Sequence, residues 1–206
     1  SRTLNLPIHI CHVSTAGGVQ LIREAKKDGV RITAETAPHY LAGIDDMVQS
    51  YSADTKVNPP LRLTSDQEAL IAGLCDGTID AIATDHAPHH RDEKEVEYNS
   101  ALSGISGFET AFALCMDALV HAHHMTMEEF VQVACTNPAK ILGKNCGKLE
   151  VGRDADFIIA DIAKEWTVDR KEFVSKGKNT PFDGRTVHGR VLETYVGGKR
   201  IYKYED

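Results

Sequence analysis

An apolar run that ends in a carboxylate and continues into imidazoles constrains this chain more than any other feature. The run reads Ala81-Ile82-Ala83-Thr84-Asp85-His86-Ala87-Pro88-His89-His90. Its apolar half suits a strand buried in a parallel sheet, whereas an ionised carboxylate at the strand's end must be paired, hydrogen-bonded or bound to a metal. In β/α barrels, catalytic residues lie at the carboxyl ends of strands. The run therefore predicts a functional site at Asp85; the alternative is an Asp that caps a turn before solvated histidines.

Strand-like and helix-like segments alternate over the first two thirds of the chain, which predicts an α/β fold. The predicted strands cover residues 7–12, 31–36 and 79–84. Capping boxes at Ser65 with Glu68 and at Thr126 with Glu129 predict two helix starts. Other helices are predicted from Gly17-Gly18, from the helical spacing of Phe108, Phe112, Cys115, Met116 and Leu119, and after Asn137-Pro138 as far as Gly143.

After Gly143 the pattern changes to turns and β-prone runs. Residues 156–160, 189–196 and 199–202 read as strands, and Gly197-Gly198 reads as the turn of a hairpin. We therefore expect residues 1–143 to form the α/β part with the site, and residues 144–206 to form a small β-rich domain.

Composition excludes several classes of function. The net charge of −7 and the pI near 5.8 argue against a protein that binds nucleic acid or an anionic membrane. An anionic small molecule would then need local positive charge. The five cysteines are scattered without a CxxC pair, and there is no run of about 18 apolar residues. These features predict a cytoplasmic protein with reduced thiols, neither exported nor inserted into a membrane.

Ionisable side chains follow each predicted strand. His12 follows the first, His39 follows the second, and Asp85 and His89 follow the third. Imidazole and carboxylate at one rim of a sheet are the ligand types of catalytic zinc sites, although a single strand histidine is more often a hydrogen-bonded core residue. Alternation along the strand predicts that His9 points away from His12. His121, His123 and His124, at a predicted helix end, are predicted to be structural, and His86 and His90 are predicted not to be metal ligands.

The polar stretch from residue 90 to residue 103 follows directly on the predicted site. Its charged residues suit a solvated helix face, and its position beside Asp85 and His89 suits a mobile flap. Both interpretations remain open from the sequence.

Six segments, in order, resemble dihydroorotases of the amidohydrolase superfamily, of the bacterial binuclear-zinc type. They are His9-Ile10-Cys11-His12-Val13-Ser14-Thr15, Glu35-Thr36-Ala37-Pro38-His39-Tyr40, Lys56-Val57-Asn58-Pro59-Pro60-Leu61-Arg62, Thr84-Asp85-His86-Ala87-Pro88-His89, Ser106-Gly107-Phe108-Glu109-Thr110 and Lys178-Asn179-Thr180-Pro181-Phe182. The resemblance implies the carboxyl-terminal half of a TIM-like β/α barrel of a metal-dependent hydrolase, followed by the small β-rich domain. It also implies reversible, zinc-dependent hydrolysis of dihydroorotate to N-carbamoyl-L-aspartate in pyrimidine biosynthesis.

The resemblance assigns roles to individual residues. It implies that His12 and Asp85 are metal ligands and that Asp85 is also the catalytic acid and base. Asn58 and His89 would bind the substrate carboxylate, and main-chain groups at Ser103 and Gly104 would bind the ring amide. His39 would lie behind the ligands and orient one of them. Relatives often carry Pro-Phe-Gly where this chain has Leu102-Ser103-Gly104, which leaves the contact at Ser103 open.

The resemblance also implies ligands that precede Ser1: a His-x-His-x-Arg segment, a bridging Asp or carboxylated Lys, and a further His. We therefore expect the carboxyl-terminal portion of a longer enzyme with one or two zinc ions, inactive by itself. Half a barrel leaves open sheet edges, which favours a homo-oligomer. Two alternatives are a hydantoinase- or allantoinase-like hydrolase of another ring, and a non-catalytic scaffold for aspartate carbamoyltransferase.

Overall fold

A short parallel sheet forms the centre of the first part of the chain. The computed structural model describes residues 1–205 and contains strands β1 (Ile8–Ile10), β2 (Ile32–Thr36) and β3 (Ala81–Ile82), hydrogen-bonded in that order. Ile8 pairs with Ile32, and Thr36 pairs with Ile82, in parallel register. All three strands are shorter than predicted: β1 and β3 end two residues early, whereas β2 begins one residue late and ends at Thr36 as predicted. The predicted α/β class is confirmed.

Seven helices accompany this sheet. They are α1 (Ala16–Lys27), α2 (Pro38–Ala42), α3 (Thr64–Cys75), α4 (Arg91–Lys94), α5 (Ala111–Cys115), α6 (Met127–Val131) and α7 (Asn137–Ile141). Wider π-helical turns extend α5 through Met116–His121 and join α6 to α7 through Gln132–Thr136. Short 3₁₀ turns occupy Asp45–Ser50, Ala53–Thr55 and Arg170–Glu172. None of the helices in residues 1–205 is both long and apolar enough to cross a membrane.

Two predicted capping boxes have opposite outcomes. The box of Thr126 and Glu129 is present at α6, where Thr126 Oγ1 accepts from the Glu129 amide and the Glu129 carboxylate accepts from the Thr126 amide. The box of Ser65 and Glu68 was wrong, because α3 begins at Thr64 without a capping side chain. The carboxylate of Asp66 instead accepts the amide of Ala16 at 2.7 Å and joins the starts of α1 and α3.

Two other helix predictions need correction. Phe108 lies before α5 rather than on its buried face; its side chain is 65% exposed and stacks on His86 at a ring separation of 3.7 Å. Asn137 does not begin a new helix after a break, because the π-helical turn carries the chain continuously from α6 into α7. Its side-chain amide donates to the carbonyl of Asp80 at 2.9 Å and so ties this helix to β3.

The main core lies between the parallel sheet and its helices. Val19, Leu70, Leu74 and Ile79 are almost fully buried there. Each such side chain contributes about 1.5–3 kcal/mol by leaving water. This packing fixes the helices against one side of the sheet and leaves the carboxyl ends of the strands for polar side chains.

The final part of the chain is an antiparallel sheet. Strands β4 (Phe157–Thr167), β5 (Thr186–Val196) and β6 (Lys199–Lys203) pair in that order. The hairpin between β5 and β6 turns at Gly197 and Gly198, whose φ values of 55° and 74° suit a type I′ turn. Residues 168–185 leave this sheet and pack on the α/β part, where Val168, Phe173 and Phe182 meet Leu114 of α5 in a second core.

Candidate functional site

His12 and Asp85 follow the carboxyl ends of β1 and β3, and both have left-handed backbone conformations. Their φ values are 41° and 47°. A non-glycine residue held in this region costs on the order of 1–3 kcal/mol and persists where its surroundings force it. Just after His12, the Val13 amide donates to the Glu35 carbonyl. Two residues before Asp85, the Ala83 amide donates to the Thr36 carbonyl. A strand-like hydrogen bond therefore lies beside the turn at each residue.

The imidazole of His12 has a buried nitrogen with no hydrogen-bond partner, Nδ1. Leaving such an atom unsatisfied costs about 1–3 kcal/mol. A metal ion would satisfy a ring nitrogen, and imidazole with carboxylate is a donor set that zinc accepts. The residues present therefore fit a metal at His12 and Asp85.

Two neighbouring charges act on Asp85. Burial is the main cause that raises the pKa of its carboxyl; His12 opposes this shift and Glu35 adds to it. Glu35 was not among the predicted site residues. Its place near the carboxyl end of β2 brings it to the same rim of the sheet as His12 and Asp85. A cation at this position would relieve the repulsion between the two carboxylates.

His9 lies beside Glu35. Its Nε2 is 3.1 Å from Glu35 Oε2, and its Nδ1 is 2.8 Å from Thr33 Oγ1. The prediction that His9 points away from His12 assumed that both residues lie on one strand. Because β1 ends at Ile10, the alternation of side chains along a strand does not extend to His12. Cys11 joins His9 and Glu35 in a cluster whose donor atoms lie within 4.8 Å of one another.

Helix α2 places two buried aromatic side chains behind the site. His39 is 2% exposed, and burial, with a smaller effect of His12, lowers its pKa to about 4, so its ring is neutral at pH 7. Tyr40 donates its hydroxyl to the carbonyl of Pro59 at 2.6 Å. Burial, followed by the charge of Asp85, raises the pKa of Tyr40. Tyr40 therefore anchors the loop that carries Asn58 close to Asp85.

The predicted substrate-binding residues come from three loops joined by hydrogen bonds. His89 Nε2 is 2.9 Å from the carbonyl of Ser103, and the Gly104 amide donates to the carbonyl of Lys56, two residues before Asn58. A Cβ atom on Gly104 would lie 2.7 Å from His89 Nε2, so only glycine fits. Because the Gly104 amide is already bonded and its carbonyl accepts from Lys94 and Asn179, Ser103 is the better candidate for a main-chain contact to substrate.

The histidines on either side of His89 have structural partners. His86 Nδ1 accepts from the amides of Gly107 and Phe108, and its Nε2 is 3.3 Å from Ser175 Oγ. His90 caps α4 by accepting the Asp92 amide. These contacts engage both ring nitrogens of His86 and the Nδ1 atom of His90.

Two lysines fasten residues 90–103 to the neighbouring loops. The buried Lys94 donates to the carbonyls of Leu102 and Gly104, at 2.9 and 3.1 Å, and burial lowers its pKa. Lys56 donates to the carbonyls of Tyr98 and Asn99, at 2.8 and 2.9 Å. The segment is thus tied to the neighbouring loops, and its movement as a flap stays a prediction.

A cationic cleft of about 510 Å³ opens beside His89. Its basic side chains are Arg91, Lys94, Arg170, Lys171, Lys176 and Lys178, against the two carboxylates of Asp54 and Glu95. This is the local positive charge that an acidic protein needs in order to attract an anionic small molecule.

A parallel sheet with imidazole and carboxylate at its carboxyl rim, followed by an antiparallel sheet, defines a class of metal-dependent hydrolases. The family model described as "Amidohydrolase family" matches residues 7–201. The chain belongs to the amidohydrolase family.

Curated relatives of this chain are named dihydroorotase. It is 51% identical over 203 residues to the one from Acetivibrio thermocellus, covering 98% of this chain and 48% of that protein. It is 52% identical to the one from Caldanaerobacter subterraneus, covering 98% and 47%. The chain spans about half the length of these curated relatives.

Solved structures of hydantoinases have the same fold. The L-hydantoinase (dihydropyrimidinase) from Arthrobacter aurescens superposes with a TM-score of 0.93 at 32% identity, covering 98% of this chain and 46% of that one. The dihydropyrimidinase from Brevibacillus agri superposes with a TM-score of 0.92 at 24% identity over the same shares, a likeness of fold alone.

Proposed function

We propose that this chain carries part of the active site of a dihydroorotase, which interconverts dihydroorotate and N-carbamoyl-L-aspartate in pyrimidine biosynthesis. One observation carries the proposal: the chain that is 51% identical to a dihydroorotase also holds His12 and Asp85 after the carboxyl ends of β1 and β3, the two strands that flank β2. The loops that carry Asn58, His89 and Ser103 are joined to one another by hydrogen bonds, which supports the proposal. The scattered cysteines favour the cytoplasm as the compartment.

His12 and Asp85 would hold zinc, with the remaining ligands supplied from outside this chain. When bound, zinc lowers the pKa of water to about 7 and polarises a carbonyl. Asp85 takes a proton from the attacking water and delivers it to the amide nitrogen as the ring opens; the reverse transfers close the ring.

The substrate is an anion, and the chain offers donors to match it. Asn58 and His89 bind its carboxylate, while a main-chain group at Ser103 contacts the ring amide. The basic residues of the cleft beside His89 attract the anion from solution. Lys94 shapes this loop through its bonds to the carbonyls of Leu102 and Gly104, and Gly104 remains a candidate for a main-chain contact beside Ser103.

The experiment compares Asp85→Asn with wild type in the natural protein that contains this chain. We expect turnover of dihydroorotate to fall by at least about 100-fold, the scale of general acid–base catalysis, with part of the metal content retained. Asp154→Asn, which changes an exposed carboxylate outside the site, is the control and should leave turnover unchanged. Near-normal turnover by Asp85→Asn would remove Asp85 from the mechanism.

The same assay separates the alternatives. Hydantoin or allantoin hydrolysed in preference to dihydroorotate would favour a hydrolase of another ring. No hydrolysis of any of the three rings by metal-loaded protein would favour a non-catalytic scaffold. In that case, co-purification with aspartate carbamoyltransferase is the next measurement.

A further inference from the structure

The segment that precedes β5 reaches back to the loops of the candidate site. Within it, Asn179 is only 4% exposed, and its side chain makes four hydrogen bonds. Asn179 Oδ1 accepts from the His89 amide at 2.9 Å and from Ser106 Oγ at 3.0 Å. Its Nδ2 donates to the carbonyls of Ala87 and Gly104, at 3.0 and 2.9 Å. Every donor and acceptor position of the amide is used.

These four bonds join two loops with separate roles. The loop after β3 carries Asp85 and His89, and the other loop carries Ser103 and Gly104. The loops also contact each other directly, since the Ala87 amide donates to the carbonyl of Ile105 at 3.0 Å. Asn179 lies across this junction and sets both the spacing of the loops and the direction of the His89 backbone.

Gly177 brings the same segment into close contact with the His89 loop. A Cβ atom at this position would lie 2.7 Å from the His89 nitrogen and 2.7 Å from Pro88 Cβ. The Gly177 carbonyl lies 2.8 Å from Ser106 Oγ, whose single hydroxyl hydrogen is shared between this carbonyl and Asn179 Oδ1. The segment is therefore seated directly on the main chain of the loop, where small displacements would move the His89 ring.

We propose that Asn179 is a positioning residue, which holds the main chain of His89 where the His89 side chain binds the substrate carboxylate. The proposal rests on the dihydroorotase function proposed above and adds to it a residue from beyond the α/β part. Asparagine suits the role because a carboxylate at this place would turn one acceptor oxygen towards the carbonyls of Ala87 and Gly104.

A double-mutant cycle separates positioning from general support of the fold. Asn179→Asp should raise the KM for dihydroorotate about ten-fold and change kcat by less than about three-fold, within the usual range for coupled neighbours. In a His89→Ala background the same substitution should change KM by less than about two-fold, because the residue through which it acts is gone. An equal KM factor in both backgrounds would overturn the proposal.

Two further variants complete the design. Asn137→Asp removes a side-chain bond to the Asp80 carbonyl, outside these loops, and should leave KM unchanged. Ser106→Ala removes one of the four bonds to Asn179 and tests the positioning role if Asn179→Asp does not fold. It should raise the KM for dihydroorotate about two- to three-fold when His89 is present, and leave it unchanged in the His89→Ala background.

A measurement without substrate tests the positioning role of Asn179 independently of the proposed dihydroorotase function. In unliganded protein, hydrogen exchange at the His89 amide should be at least about ten-fold faster in Asn179→Asp than in wild type and unchanged in Asn137→Asp. Unchanged exchange at His89 would overturn the positioning role. If wild-type protein fails to turn over dihydroorotate while Asn179→Asp shows the accelerated exchange, the proposed function is rejected and the positioning of His89 is supported.

Discussion

The cysteines of this chain differ widely in their chemical environment. Cys115 on α5 is fully enclosed by apolar neighbours of the main core, and burial raises the pKa of its thiol to about 12. Cys146 is exposed on the surface. Because only the thiolate reacts with alkylating agents, burial reduces both access to Cys115 and the fraction of reactive anion.

We expect iodoacetamide at pH 8 to label Cys146 readily and to leave Cys115 unlabelled in the folded protein. A pKa raised from 9.0 to about 12 reduces the thiolate fraction about a thousand-fold. Peptide mass spectrometry after timed labelling measures both sites in one sample, and labelling in denaturant is the control. Equal labelling rates for the two thiols in folded protein would contradict the packing of α5.

At the level of single residues, the sequence could predict side chains at strand ends but not those brought in by the fold. His12 and Asp85 follow short apolar runs, so the position of each was readable. Their left-handed conformations were not, because they depend on pairing around the turn. Asn179 contacts His89 across 90 residues of sequence, and no local pattern marks such a contact.

At the level of elements, helix starts depended on which partner a polar side chain finds. Thr126 and Ser65 carry the same sequence signal, a hydroxyl with Glu three residues later, yet only Thr126 caps a helix. At α3 the chain becomes helical one residue before Ser65. Asn137 differs, because the chain is already helical at Thr136 and its side-chain amide donates to the Asp80 carbonyl.

The two sites form a matched pair for a stability experiment. Thr126→Ala should lower the free energy of unfolding by about 1 kcal/mol, because the Glu129 amide at the start of α6 loses its side-chain acceptor. Ser65→Ala should change it by less than about 0.5 kcal/mol, since the hydroxyl is exposed and caps nothing. Urea unfolding of both variants measures the difference. Equal losses would mean that both capping boxes form in solution.

At the level of the whole molecule, residues 168–185 connect the antiparallel sheet to the site. Arg170 lies at the centre of this connection: its guanidinium pairs with Asp54 at 2.7 Å and with Asp183 at 2.9 Å. Asp54 lies in the loop before Asn58, and Asp183 follows Asn179 by four residues. Composition and periodicity identified the two sheets, but this return segment carries no periodic pattern, so its packing could not be predicted.

The pairing of Arg170 with Asp183 predicts a defined dependence of stability on pH. The Arg170 amide, and then its guanidinium, hold the pKa of Asp183 below the ordinary value of 3.8. A carboxyl whose pKa is lower in the folded state stabilises the protein above the unfolded-state pKa, and this contribution is lost as pH falls through the folded-state pKa. With 38% of the Asp183 side chain exposed, solvent screening keeps the contribution below about 1 kcal/mol.

Asp183→Asn tests this dependence, because the amide keeps an acceptor for the Arg170 main chain and loses only the charge. The variant should be less stable than wild type at pH 7, and the difference should shrink from about pH 4 downwards as Asp183 of the wild type becomes protonated. Urea unfolding at pH 7, 5, 4 and 3 measures it, and Asp154→Asn, at an exposed carboxylate, is the control. A difference that stays constant down to pH 3 would show that the charge of Asp183 does not hold the return segment against the α/β part.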